Sequence, residues 1–198
     1  DPMTLFKYRN LENIKNLIDI FLNKRLYAAA YTNMNDPMEG HYFYRSGEMS
    51  AEFKSALKGE KDSFGICSLS EIPNNNLMWS HYANGYNGIA IGVEIDRVAY
   101  DVRKVVYGEL SKLTERMENS PAEAAKQVLS RKLEIWDYEK EHRVFVPNDC
   151  FVTVKITDVI FGRRVSRDDK AFFKGLIDKL HPGIHFSVED EVDELATA

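Results

Sequence analysis

Two carboxylates stand two residues apart in the segment from Trp136 to Pro147, whose sequence is WDYEKEHRVFVP. On an extended chain the side-chain period is two, so Glu139 and Glu141 are expected on one face, followed there by Arg143. Paired carboxylates can bind or stabilise positive charge. A strand with one buried face favours apolar residues at such positions. The sequence therefore predicts either a solvated edge strand with salt bridges or a face that lines a site.

Two serines end an apolar run at residues 63–70, SFGICSLS, which predicts a buried strand. Core strands favour aliphatic residues at alternate positions. Ser68 and Ser70 therefore indicate either a strand end that reaches solvent or hydroxyls that hydrogen-bond a ligand laid across the strand.

Further polar and aromatic candidates lie in a turn and a short helix. In the turn TNMNDPME, Asn35 and Asp36 either form the turn with their side chains or act as polar ligands at a cleft rim. In the helix predicted at residues 77–83, LMWSHYA, His81 is either a surface or packing residue or a catalytic base. Four aromatic residues can stack on a planar ring, although such residues are more often core: Tyr8, Trp79, Tyr82 and Tyr138.

The periodicity of apolar residues predicts the elements that position these groups. Strands are expected at residues 5–9, 26–31, 63–70, 89–95, 105–107, 136–147, 151–161 and 184–188. Helices are expected after a cap at Asn10 and at residues 48–58, 77–83, 109–119, 121–135 and 168–180, with a solvated acidic tail at 189–194. This order predicts an α+β fold with a mainly antiparallel mixed sheet and flanking helices. We expect one domain over residues 3–198, with Met3 as the native start.

Composition narrows the class of protein. The 198 residues are 44% hydrophobic and carry a net charge of −5, which disfavours a disordered chain and a nonspecific nucleic-acid binder. No apolar run approaches the ~20 residues that span a bilayer, so we expect a cytoplasmic protein without a membrane partner. Cys67 and Cys150 stand alone, which predicts two reduced core thiols rather than a disulfide or a zinc site.

Six stretches occur together in one order: LFKYR, LYAAAYTNMNDPME, ICSLSE, LMWSHYANGYNGIAIGVE, WDYEKEHR and ITDVIFG. In this order they resemble a bacterial domain-of-unknown-function family, and the resemblance covers essentially the whole chain. That family brings no established activity.

A more distant resemblance is to ADP-ribosyltransferase-like folds, which carry a basic residue on a first strand, a serine on a middle strand and a glutamate, often in an ExE pair, on a later strand. Arg9, Ser68 with Ser70, and Glu139 with Glu141 follow that order here. The resemblance implies that Arg9 pairs with a pyrophosphate or ribose oxygen of NAD and that the serines order the strand beside nicotinamide. One glutamate would bind the ribose 2′-hydroxyl and stabilise an oxocarbenium-like transition state. The chain lacks the threonine of the Ser-Thr-Ser motif in arginine-modifying members.

Three hypotheses for the function remain, and the first of them is what the resemblance to ADP-ribosyltransferase-like folds implies. The first is an NAD-dependent ADP-ribosyltransferase-like enzyme or NAD glycohydrolase of toxin or phage-defence type, with Glu141 favoured over Glu139 as the catalytic carboxylate, NAD as substrate, no metal and an unidentified macromolecular acceptor. The second is a metal-assisted hydrolase or nuclease using His81, Asp36 and both glutamates, although no HExxH or DxD spacing occurs. The third is a non-catalytic module that binds a ligand or a protein.

Overall fold

The computed structural model describes residues 3–115 and 120–189. These residues group into two compact units by their internal contacts. Unit 1 comprises residues 3–25, 69–95 and 153–189, and unit 2 comprises residues 26–68, 96–115 and 120–152. The assignment of residues 3–198 to one domain stays a prediction, and the acidic tail predicted at residues 189–194 lies outside the described residues beyond Glu189.

Eleven strands and five α-helices occur among the described residues. The strands are β1 (Leu5–Arg9), β2 (Arg25–Tyr27), β3 (Phe64–Ser70), β4 (Ile89–Glu94), β5 (Asp101–Lys104), β6 (Val106–Tyr107), β7 (Arg131–Lys132), β8 (Glu141–Pro147), β9 (Phe151–Thr153), β10 (Lys155–Phe161) and β11 (His185–Val188). The α-helices are α1 (Ile14–Asn23), α2 (Ala51–Ser63), α3 (Asn76–Tyr82), α4 (Pro121–Val128) and α5 (Arg167–Leu180), and two 3₁₀ helices lie at Tyr31–Asn33 and Glu134–Glu139.

The predicted α+β class with a mixed sheet is confirmed. Seven strands are hydrogen-bonded in the order β11-β10-β4-β1-β3-β8-β5, and two small sheets pair β2 with β9 and β6 with β7. In the large sheet, β1 pairs antiparallel with β3 and β4, β10 with β4, and β5 with β8, whereas β10 pairs parallel with β11. Strand β3 has its first five residues in unit 2 and its last two in unit 1.

Unit 1 is built around the pairing of β1, β4 and β10, against which its helices bury apolar stripes. Helix α1 packs against α5 and buries Leu17, Ile20 and Phe21. Its N-cap is Asn13, whose side chain accepts from the backbone of Asn16, so the predicted cap at Asn10 is wrong. The chain reaches the first helical turn three residues later than the polar pattern indicated.

Unit 2 has its own hydrophobic core beneath helices α2 and α4, which pack together. Ser120 caps α4 by accepting from the backbone of Glu123, and Pro121 occupies its first turn. The order Ser-Pro-Ala-Glu at residues 120–123 predicts this start as a capping box. The helix ends at Val128 instead of Ile135, however. The buried core residues are Met49, Leu57, Phe64, Ile66, Leu113, Ala124, Ala125, Val128, Leu129 and Phe145.

Three further predictions of local structure are wrong. Residues 109–115 form no helix, and Lys112 instead forms an isolated parallel β-bridge with Phe43. Residues 116–119 lie outside the described part of the chain. The single strand expected at residues 151–161 is divided at Val154 into β9 and β10, which join different sheets. Neither cysteine forms a disulfide with another described residue, but Cys150 is exposed and only Cys67 is a core thiol.

Candidate functional site: a buried charge cluster in unit 2

Arg143 lies on β8, an interior strand between β3 and β5, and none of its side chain is exposed. Its Nε donates to Glu141 Oε1 at 2.7 Å, and its Nη2 donates to Glu39 Oε1 at 2.6 Å and Glu141 Oε2 at 3.2 Å. Its Nη1 donates to Glu39 Oε2 at 2.8 Å and to the carbonyl of Leu129 at 2.7 Å. All five N–H donors are therefore used inside the protein, which fixes the plane of the guanidinium group.

Lys132, on β7, provides the second buried cation. Its Nζ lies 2.6 Å from Glu139 Oε2, 3.3 Å from Glu141 Oε2 and 3.9 Å from Glu39 Oε1. The ring of Trp136 lies 4.9 Å from the same nitrogen. We call Glu39, Lys132, Glu139, Glu141 and Arg143 the charge cluster; with all five ionised, three carboxylates and two cations leave one net negative charge.

The two glutamates of the ExE pair reach the cluster from different elements. Glu141 is the first residue of β8, whereas Glu139 ends a 3₁₀ helix. Lys140 between them is left-handed, with φ 43°. The expectation that Glu139 and Glu141 lie on the same face of one strand is therefore wrong, although both carboxylates contact Lys132. The solvated edge strand is also wrong, because β8 is buried from Glu141 to Val146 and has a strand on each side.

Glu39 enters the cluster from the turn that the sequence predicted. Asp36 Oδ1 accepts from the backbone of Met38 at 2.9 Å, and its carbonyl accepts from the backbone of Glu39 at 3.0 Å. The Asp36 side chain thus forms the turn, one of the two alternatives for this residue. On the other side of Glu39, Lys61 Nζ donates to the carbonyl of Gly40 at 2.8 Å.

The charges in the cluster fix the ionisation of Glu141. Burial by itself would raise the pKa of Glu141, but the charges of Arg143 and Lys132, with hydrogen bonds from Arg143 and Ser68, outweigh it and lower the pKa to about 2. For Lys132, burial acts to lower the pKa, but Glu141 and Glu139 outweigh it and raise the pKa. The phenol of Tyr107 accepts from the backbone of Glu141 at 2.8 Å, and burial raises the pKa of Tyr107.

The predicted site residues divide between the units. Ser68 helps to lower the pKa of Glu141, so the middle-strand and late-strand motifs meet in unit 2. Two other candidates of unit 2 differ in burial: Asp36 is buried and Asn35 is exposed. Tyr138 lies in the same 3₁₀ helix as Glu139 and is half-buried.

The remaining candidates belong to unit 1: Tyr8, Arg9, Ser70, Trp79, His81 and Tyr82. Trp79 is fully buried and its indole N–H donates to the carbonyl of Pro73, so the ring packs within the unit. The hydroxyls of Tyr8 and Ser70 both donate to the carbonyl of Ile72. Both groups therefore hold the chain where it leaves β3.

Sequence reasoning missed two members of the cluster. The sequence pattern predicts Glu39 only as the last residue of a turn, and it predicts Lys132 inside a helix that continues to Ile135. A carboxylate directly after the rigid NDP turn is a signal that could have identified Glu39, because such a turn fixes its direction. Nothing in the local pattern singles out Lys132.

The structure gives no support to a metal site. Within residues 3–115 and 120–189, no group of three or more His, Cys, Asp or Glu side chains is arranged to hold a metal ion. In the cluster itself, Lys132 and Arg143 occupy the positions between the carboxylates. The described helices also include none that is both long and apolar enough to cross a membrane.

Comparison of the chain with family models, curated proteins and solved structures gave no match. The cluster therefore has to be interpreted from its own geometry.

Replacing Gly40 with alanine is expected to destabilise the turn that presents Glu39. Gly40 has φ +75°, and an added Cβ would lie 2.7 Å from the ring of Tyr31, so we expect a loss of about 1–3 kcal/mol in the free energy of unfolding. Chemical denaturation measures this loss. Gly59, inside α2 with no atom within 4 Å of its added Cβ, is the matched control, and Gly59→Ala should stabilise by up to about 1 kcal/mol. Equal effects of the two substitutions would contradict the described turn.

Proposed function

We propose that the protein is an ADP-ribosyltransferase-like enzyme or NAD glycohydrolase in which Glu141 is the catalytic carboxylate. The observation that carries this proposal is that Ser68 lies close enough to the buried Glu141 carboxylate to help lower its pKa. These two residues come from motifs more than 70 positions apart in the chain, and the resemblance to the transferase fold associates them with one site.

The charge of the cluster supports the same chemistry. Glu141 is buried, and its pKa is lowered so that it is ionised. With all five groups of the cluster ionised, three carboxylates and two cations leave one net negative charge. Cleavage of NAD passes through a ribosyl group with oxocarbenium character, and a fixed anion in a low-dielectric setting stabilises such a cation more than water does.

In the proposed reaction the bond between ribose C1′ and the nicotinamide nitrogen breaks, and its electron pair leaves with neutral nicotinamide. Water or an acceptor nucleophile then bonds to C1′ and releases its proton to solvent. Glu141 would stabilise the positive charge on the ribosyl group, and Ser68 and Arg143 would hold the carboxylate in position. Glu139, held by Lys132 at 2.6 Å, would support it.

The test is release of nicotinamide from NAD, measured by chromatography on the wild-type protein and on Glu141→Gln. Glutamine keeps the shape and removes the negative charge, so we expect turnover to fall by a factor on the order of 10² or more. Glu123→Gln is a matched control, because Glu123 is also an ion-paired glutamate of unit 2 but pairs with Arg103 outside the cluster. Circular dichroism establishes that each variant is folded. Absence of nicotinamide release by the wild-type protein, or unchanged release by folded Glu141→Gln, would refute the assignment.

A second candidate is a non-catalytic module that binds a ligand or a protein. It is favoured by the complete use of the Arg143 donors within the protein and by the burial of every charged group in the cluster. Such a cluster can serve to specify one packing of unit 2. Calorimetric binding of NAD or ADP-ribose without turnover would favour this module over the enzyme.

A further inference from the structure

Arg163, in the loop between β10 and α5 of unit 1, rests on a buried aromatic stack. Its Cζ lies 4.0 Å from the ring centroid of Tyr86. That ring stacks on Trp79, with centroids 6.0 Å apart and planes 9° from parallel, and the Tyr86 hydroxyl donates to Asn76 Oδ1 at 2.7 Å. The Tyr86 ring, on which the guanidinium group stacks, is therefore held in place by Trp79 and Asn76.

The backbone on both sides of Arg163 is held as well. Gly162 donates to the carbonyl of Gly88 at 2.9 Å, and Arg164 donates to the carbonyl of Tyr86 at 3.1 Å. A Cβ at position 162 would lie 2.2 Å from the Tyr86 carbonyl oxygen, a backbone atom that cannot move aside alone. The loop therefore approaches the 84–88 turn closely only because residue 162 is glycine.

Although it is held in this way, the guanidinium group makes no hydrogen bond to any residue the structure describes. Glu189 Oε2 lies 3.9 Å from its Nε, which is too far for a hydrogen bond, and 29% of the Arg163 side chain is exposed. Stacking uses the face of the group and leaves the Nη1 and Nη2 edge for ligands. A fixed arginine with an unused fork of donors is arranged to bind an oxyanion by two parallel hydrogen bonds.

We propose that Arg163 is the centre of an anion site that takes a phosphate group, with the fork of Arg163 bonding two phosphate oxygens. Arg164, the next residue in the chain and exposed, adds a second positive charge beside Arg163. The site lies wholly within unit 1 and does not depend on NAD chemistry at the charge cluster.

Isothermal titration calorimetry at low salt tests the site with pyrophosphate, inorganic phosphate and malonate on the full chain. We expect a Kd on the order of 1 mM for pyrophosphate, weaker binding of phosphate, and the weakest of malonate. Arg163→Met should weaken pyrophosphate binding about tenfold or more, and Arg163→Lys should weaken it too, because an ammonium group cannot bond two oxygens in one plane. Glu189→Gln should tighten binding several-fold, because it removes a negative charge 3.9 Å from the Nε of Arg163.

Arg97→Met, an exposed arginine of unit 2, is the control and should leave binding unchanged. Melting temperatures establish that each variant is folded. The site is refuted if the wild-type protein does not bind pyrophosphate at about 10 mM, ten times the expected Kd. It is equally refuted if folded Arg163→Met and Arg163→Lys bind like the wild type, or if malonate binds as tightly as pyrophosphate.

Discussion

Replacing Arg143 with methionine is expected to lower the free energy of unfolding by about 3–5 kcal/mol. Methionine fills much of the same volume but removes the five hydrogen bonds that satisfy Glu39, Glu141 and the carbonyl of Leu129. Three buried carboxylates would then face only Lys132, and an unpaired buried charge costs more than the pair itself contributes. Urea denaturation measures the change.

The exposed Arg97 again supplies the control, since Arg97→Met should change stability by no more than about 0.5 kcal/mol. The double variant Glu39→Gln with Arg143→Met should be more stable than the sum of its single variants predicts, because the first change neutralises a charge that the second leaves unpaired. Strict additivity, or an Arg143→Met variant within about 1 kcal/mol of the wild type, would show that the cluster is not a mutually dependent network.

Stability is also expected to fall steeply between pH 4.5 and pH 2. The pKa of Glu141 is about 2 in the folded protein, against an ordinary value of 4.5. Between these values the unfolded chain binds a proton at this carboxyl and the folded protein does not, so the stabilisation present above pH 4.5 is lost as the pH falls through the folded pKa. The lowered pKa of Glu141 therefore contributes stability near neutral pH that is lost in strong acid.

Denaturation curves collected at several pH values measure this dependence. In Glu141→Gln the contribution of this carboxyl is absent, so the curve of stability against pH should be flatter than that of the wild type in the same range. Asp19→Asn is a surface control, because the pKa of Asp19 is also lowered, chiefly by its hydrogen bond from Arg25, but its side chain is partly exposed and solvent screens the pair. A wild-type curve no steeper than that of Glu141→Gln would contradict the lowered pKa.

Local patterns predicted those parts of the fold that local interactions determine. Strand β1 was predicted at its observed bounds, and β3, α3 and the cap at Ser120 within a residue or two. In each case the alternation, the helical stripe or the capping residue is sufficient without a tertiary partner. The ADP-ribosyltransferase-like fold itself stays a prediction.

The site was predicted only in part, because its geometry depends on distant segments. The pairing of Ser68 with Glu141 follows the predicted order of motifs, but the 104 positions between Glu39 and Arg143 left no local signal of their bidentate bond. The left-handed Lys140 was also missed, because lysine has no marked preference for that conformation. The sequence predicts a helix that continues to Ile135, but the chain instead forms β7, which pairs in parallel with β6. This tertiary pairing outweighs the helix propensity of the segment.

Each of the two units is assembled from separate stretches of the chain, and this affects how the protein folds as it is synthesised. Strand β1 emerges early, but its partner β4 lies some 80 residues later, and β10, which pairs with β4, follows after about 60 more. Likewise, Glu39, which lies in residues 26–68, can bind Arg143 only after β8 has been synthesised. High contact order of this kind slows folding and leaves unpaired strand edges exposed for longer. We therefore expect newly made chains that stop short of β10 to be prone to aggregation and to depend on chaperones.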